Sequence, residues 1–105
     1  MIVKNRIKKY SEFQKVINEG TPEKTKSFVV YTLDNDLGYS RFGISVPKKT
    51  GSAVVRNRIK RQVRSAIGQS TDFSKAKDFI LIVRKTYDTN GFELMKSEIS
   101  DIVNK

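Results

Sequence analysis

The segment that most narrows the fold is Phe79-Ile80-Leu81-Ile82-Val83. Successive side chains of a strand point to opposite faces. A strand that is apolar at every position therefore needs cover on both sides and belongs in the centre of a sheet. The chain must then place a sheet between packed layers, with helices against it. At 105 residues there is room for one such domain, read here as spanning 1–105, with a modest core.

The remaining patterns supply the other elements. Ser11-Glu12-Phe13-Gln14 fits a capping box, with Ser11 accepting from the Gln14 backbone N–H. Phe13, Val16 and Ile17 share a face of the helix that follows, and Gly20 and Pro22 end it, so a helix is predicted over 11–19. Residues 28–33 form a strand, with Phe28, Val30 and Thr32 on one face and Val29, Tyr31 and Leu33 on the other. A turn over 34–38 leads to a second strand over 39–46, and the two are expected to pair as an antiparallel hairpin. Phe42, Ile44 and Val46 share one face of that strand. Arg41, Gly43 and Ser45 share the other, a face that suits close approach by something else.

A second helix is predicted from Ala53 to Ile67, stopped by Gly68. Val55, Ile59, Val63, Ala66 and Ile67 make its inner side. A short helical turn is expected near 72–77, and Asp34, Asp36, Asp72 and Asp78 read as turn residues. A last helix, capped by Asn90-Gly91, buries Phe92, Met95, Ile99, Ile102 and Val103. A third short strand is expected either before the first helix or within 20–30. The fold class is α+β: an α/β sandwich with a mixed, mainly antiparallel sheet.

Charge points to the partner. Lysine and arginine number 21 against 11 acids, a net charge of +10 that repels itself unless a polyanion offsets it. Nucleic acid leads over a membrane surface or an acidic protein. From residue 37 to 71 there is no acid, while Arg41, Lys48, Lys49, Arg56, Arg58, Lys60, Arg61 and Arg64 all fall there. An ordinary solvated helix face mixes signs, because like charges one turn apart cost a few tenths of a kcal/mol per pair. Phosphates would relieve that repulsion and release their condensed cations. Arginine dominates lysine on the helix, and its planar fork can bridge two phosphate oxygens. The first ten residues carry Lys4, Arg6, Lys8 and Lys9 and no acid. They read equally as a solvated, partly mobile arm and as a phosphate-contacting one. Phe13, Tyr31 and Tyr39 could together form a concave surface for stacking bases, although the helical spacing of Phe13 also fits a core residue.

Several chemistries are excluded. There is no histidine and no cysteine, hence no serine–histidine catalysis, no thiolate and no ordinary zinc site. A carboxylate-bound magnesium remains open. Pro47-Lys48-Lys49-Thr50-Gly51 lacks the spacing of a nucleotide-binding P-loop. No apolar run is long enough for a membrane helix and no secretory leader is evident, so a cytoplasmic location is expected.

The stretch Arg41-Phe42-Gly43-Ile44-Ser45-Val46-Pro47-Lys48-Lys49-Thr50-Gly51-Ser52-Ala53-Val54-Val55-Arg56-Asn57-Arg58-Ile59-Lys60-Arg61 closely resembles the signature of the bacterial ribonuclease P protein subunit. Arg6-Ile7-Lys8-Lys9 before Glu12-Phe13, Phe28-Val29-Val30-Tyr31, and the apolar strand before Arg84-Lys85 are similar to that family as well. The resemblance implies an RNA subunit that performs the chemistry, hydrolysing precursor tRNA with bound magnesium to release the mature 5′ end. The magnesium would be held mainly by the RNA subunit and the substrate. The protein would be a non-catalytic subunit of this endoribonuclease. It would bind the catalytic RNA and the 5′ leader of precursor tRNA, with no membrane and no obligate protein partner.

By resemblance Lys48, Lys49, Arg56, Asn57, Arg58, Lys60, Arg61 and Arg64 face the catalytic RNA. Phe13, Ile17 and Tyr31 match a leader cleft between the first helix and the sheet. Ile17 departs from the aromatic often found there, and the C-terminus lacks the basic tail of many relatives. The resemblance also implies a left-handed strand–helix–strand crossover, against the usual hand. Two competing readings are a plain structural RNA-binding protein, such as a ribosomal component, and an autonomous nuclease.

Overall fold

A computed structural model describes residues 3–105. Four strands form one sheet: β1 (Thr21–Lys24), β2 (Phe28–Asp34), β3 (Arg41–Ser45) and β4 (Lys77–Val83), in the order β1-β2-β4-β3. Three helices accompany them: α1 (Tyr10–Glu19), α2 (Ala53–Ser70) and α3 (Phe92–Val103). β4 is central, as its composition requires. β1 is the short third strand expected within 20–30.

The expected hairpin does not form. β2 and β3 are not neighbours, because β4 lies between them, antiparallel to β2 and parallel to β3. The physical reason is cover: the centre of the sheet is the only place where both apolar faces of β4 are buried. The loop from Asn35 to Ser40 crosses the end of β4 instead of turning tightly. It is held there by Asn35 N–H to Ala76 C=O (3.0 Å) and Ser40 N–H to Phe73 C=O (2.7 Å). The β3–α2–β4 unit is the crossover that the resemblance singles out.

Alternation divides the core. Phe28, Val30, Phe42, Phe79, Leu81 and Val83 meet Ile59, Val63, Ala66 and Ile67 of α2 and Met95, Ile99, Ile102 and Val103 of α3. On the other face a smaller cluster centres on Ile7, Val16 and Ile80 under α1. At about 25 cal/mol per Å² of apolar surface removed from water, the larger cluster dominates stability. The smaller one leaves Phe13, Ile17, Tyr31, Leu33 and Ile82 only partly buried.

Element ends depart from expectation for non-local reasons. α1 begins at Tyr10 with Lys9 at the cap position, and Ser11 caps nothing. The Ile7 N–H bond to Phe42 C=O (2.9 Å) docks the preceding chain on β3 and starts the helix early. Of the arm expected over 1–10, residues 1 and 2 lie outside the described residues. Asn5 and Ile7 are buried, and the Asn5 amide donates to Ser40 C=O (2.8 Å), so this part is docked rather than free.

α2 runs through Gly68 to Ser70. The Asn104 side chain donates to Ser70 C=O (2.6 Å), satisfying a C-terminal carbonyl. Val55, expected on the inner side, is 37% exposed, since its turn packs on Gly51 rather than on the sheet. At α3 the Asp88 carboxylate, not the Asn90 side chain, organises the entry by accepting the Asn90 N–H (2.8 Å). Asp78 is no turn residue: it is buried within β4.

Candidate RNA-binding surfaces

The cationic surface is built by a turn and a helix. Pro47 is followed by a single 3-10 turn, Lys48–Thr50, which presents both lysines to solvent. Gly51 has φ +152°, a conformation that glycine adopts most easily. Ser52 then caps α2, its Oγ accepting the Val55 N–H (3.3 Å).

Along α2 the basic residues separate into two sets. Asn57, Arg58 and Arg61 are exposed on the crest. Arg56, Lys60 and Arg64, one turn apart, are partly buried along one flank. Among the described residues, none of Lys48, Lys49, Arg56, Arg58, Lys60, Arg61 and Arg64 forms an ion pair.

Arg41 belongs elsewhere. Its Nε and Nη2 grip both oxygens of Asp78 at 3.1 and 2.8 Å, and its Nη1 donates to Glu12 at 2.9 Å. Asn35 donates to the same Asp78 carboxylate (2.7 Å). Chiefly through the bonds to Asp78, the Arg41 pKa is raised above its already high ordinary value. This cation ties α1 to the sheet and is not part of the free cationic surface.

The second surface lies between α1 and the sheet. Phe13, Ile17 and Tyr31 come together there, with Val16 and Ile80 beneath them. Gly43 makes the seat for Phe13: a Cβ on Gly43 would stand 2.6 Å from Phe13 Cε2 and 2.6 Å from Ile80 Cδ1. The small-residue face expected on this strand is thus approached by the protein's own phenylalanine. Tyr39 is not part of the cluster. Its ring lies under the Lys4 ammonium, 5.0 Å from the centroid.

One part of this face was not singled out from sequence. Val29 and Ile82 floor a depression of about 310 Å³ whose walls include Pro47, Lys49, Arg84, Lys85 and Thr86. It sets cations beside the apolar floor of the cleft. The available signal was position: two basic residues directly after a doubly covered strand must stand at the end of the central strand. Arg84 also pins the loop between β1 and β2, donating to Thr25 C=O (2.5 Å). The loop after it is tied to α2, where Tyr87 Oη donates to Gln62 Oε1 (2.8 Å) and Gln62 Nε2 donates to Thr89 C=O (3.1 Å). Burial, with Glu98 and Asp88 nearby, pushes the Tyr87 hydroxyl up to about 12.

Among the described residues no three acidic side chains gather as a metal-binding group, and Asp78 and Glu12 are engaged by Arg41. The donor set does not fit a magnesium site built by this chain alone. No helix is long and apolar enough to cross a membrane.

The family model for ribonuclease P matches residues 1–105. The ribonuclease P protein component of Bacillus velezensis is 44% identical over 103 residues, covering 97% of this chain and 89% of the relative. The RNase P protein of Staphylococcus aureus superposes with a TM-score of 0.81 at 36% identity, covering 93% of this chain and 94% of that one. The RNase P protein of Thermotoga maritima gives the same TM-score, 0.81, and the same coverages at 28% identity.

Proposed function

This chain belongs to the ribonuclease P protein family, and we propose that it binds a catalytic RNA subunit through α2 and the 5′ leader of precursor tRNA through the cleft beside α1. The observation that carries this reading is the row of seven lysines and arginines from Lys48 to Arg64 with no ion pair among the described residues. Folding leaves these charges unmatched, while Arg41, in the same acid-free stretch, is matched twice. Phosphodiester oxygens fit the unmatched set, since guanidinium forks bridge them and counterion release drives association.

In this reading Lys48, Lys49, Arg56, Asn57, Arg58, Lys60, Arg61 and Arg64 contact the RNA subunit. Phe13, Ile17 and Tyr31 contact the leader, in a cleft whose floor is apolar and whose rim is basic. Bases stack or pack on the aromatic pair while phosphates meet the rim. Magnesium, held mainly by the RNA subunit and the substrate, would supply the activation of water, and two of this chain's acids, Glu12 and Asp78, are engaged by Arg41. The protein raises substrate affinity and the RNA cleaves.

Reconstitution tests this. The protein alone leaves precursor tRNA uncut, and it stimulates cleavage by a cognate RNA subunit at low magnesium. No stimulation would remove the reading, and cleavage by RNA-free protein would favour an autonomous nuclease. Tyr31→Ala weakens holoenzyme binding to precursor more than to leaderless tRNA; equal losses would sink the assignment of the cleft.

A further inference from the structure

The two surfaces above meet at the edge of β3. β3 pairs with β4 on one side only, and the preceding chain covers the start of its other edge through the Arg6–Phe42 bridge and the Ile7 N–H bond to Phe42 C=O. Ile44, two residues on, turns its backbone N–H and C=O toward that same edge, beyond the bridge. A notch of about 120 Å³ opens there, lined by Arg6, Ile7, Phe13, Phe42, Gly43, Ile44 and Arg64. The opening is small and faces solvent, and a phosphate group can enter it.

The notch joins three elements of distant sequence. Arg6 is exposed on the docked N-terminal segment, and Arg64 is the partly buried last cation on the α2 flank. Phe13, over Gly43, forms part of the wall and also belongs to the cleft cluster. No acid lines the notch, and among the described residues neither arginine has an ion pair. The contrast with Arg41 is direct: on the same strand, that guanidinium is neutralised by Asp78 and Glu12. Two unmatched guanidiniums around a small opening with an outward backbone N–H make a site for a tetrahedral dianion or a phosphodiester.

We propose that Arg6 and Arg64 clamp a single phosphodiester of the leader at the open edge of β3, next to the base that rests on Phe13. The proposal rests on the leader-cleft reading and reassigns Arg64 from the RNA-subunit surface to the substrate. A strand lying on Phe13 has its adjoining backbone within the notch, so one contact fixes the register of the leader in the cleft. The N-terminal segment thereby acquires a role in substrate binding, by closing one side of the clamp.

The test uses holoenzyme reconstituted with the full chain and precursor tRNAs carrying a single methylphosphonate, stepped along the leader. Wild-type holoenzyme loses affinity at one position by about ten-fold, the size of one charge-assisted contact. Arg6→Ala and Arg64→Ala each lose about ten-fold toward unmodified precursor, nothing toward leaderless tRNA, and no more at the sensitive position. Arg64→Lys, which keeps the charge and the stem, retains sensitivity at that position. Arg6 is exposed, so its variant carries the test even if Arg64→Ala folds poorly. If both variants stay as sensitive as wild type at the same position, or lose affinity only for the RNA subunit, the clamp is wrong while the cleft stands. If wild-type holoenzyme binds leadered and leaderless substrates equally, the cleft and the clamp fall together.

Discussion

A guanidinium holding two carboxylates has little left to offer a phosphate. Arg41 is 15% exposed in its side chain and Asp78 7%, so without Arg41 the Asp78 carboxylate would be a buried charge held only by the Asn35 amide. Removing one partner of such a pair costs about 3 kcal/mol. Arg41→Ala is therefore expected to lower the melting temperature sharply while leaving the salt dependence of RNA binding unchanged. Arg61→Ala, on the exposed crest, should do the reverse and reduce the salt slope by about one. Thermal melts and salt titrations of RNA affinity measure both, and a flattened slope for Arg41→Ala would contradict the division. That division was not legible in the sequence. Eight cations share one acid-free stretch, but the acids that claim Arg41 are 37 and 29 residues away.

Gly43 carries a second residue-scale consequence. Its missing Cβ is the space that Phe13 occupies. Gly43→Ala would push the ring and the Ile80 methyl aside at an overpacking cost of about 1–3 kcal/mol. Binding of leadered precursor should weaken, with little change for leaderless tRNA. Comparing the two affinities for the variant holoenzyme checks this. Equal affinities to wild type for both would mean that the seat of Phe13 does not matter to the substrate.

At the scale of elements, local signals located each helix and gave the end of α1 at Glu19 and the start of α2 at Ala53, but missed the start of α1 and the end of α2. The spacing of Ile59, Val63, Ala66 and Ile67 identified the buried side of α2, and all four are buried. Gly68 looked like the stop, yet the helix passes through it because Asn104, at the far end of the chain, caps Ser70. Gly68 is exposed and its φ is not positive. Gly68→Ala should therefore stabilise the protein by about 0.5–1 kcal/mol, read by denaturant unfolding. Destabilisation would mean that the glycine does terminate the helix in solution.

The loop after β4 is anchored on the same helix by Tyr87, whose hydroxyl titrates near 12 instead of the ordinary 10.0 because burial disfavours its ionised form. A raised folded-state pKa favours the protonated native state. The contribution is intact below pH 10 and is lost as pH rises towards 12. Wild type should lose more stability across that window than Tyr87→Phe does. Identical pH profiles would show the hydroxyl to be unperturbed.

For the whole molecule, the doubly apolar run at 79–83 was enough to require a covered central strand, and the layers follow from it. Strand order was not legible, because adjacency in sequence argued for a hairpin while burial argued for β4 between the two strands. Burial won: a β2–β3 hairpin would leave β4 at an edge of the sheet, whereas between the two strands both its faces lie under the helices. The cleft residues were legible mainly as a resemblance. Their convergence depends on α1 crossing the sheet opposite α2 and α3, which no local pattern encodes.

The net charge of +10 acts at this scale too. Much of it stands unmatched on one side of the fold, so the free protein is held together against its own repulsion. Added salt shortens the screening length to about 8 Å at physiological ionic strength and weakens that repulsion. The same salt reduces the gain from counterion release when RNA binds. The melting temperature of the free protein should therefore rise with salt over the range in which its affinity for the RNA subunit falls. Thermal melts and binding isotherms in matched buffers test the pair of signs. A melting temperature that falls with salt would mean that attractive ion pairs, chiefly Arg41 with Asp78 and Glu12, outweigh the repulsion among the unmatched cations. The cost of leaving those charges free would then be too small to serve as the argument for an RNA partner.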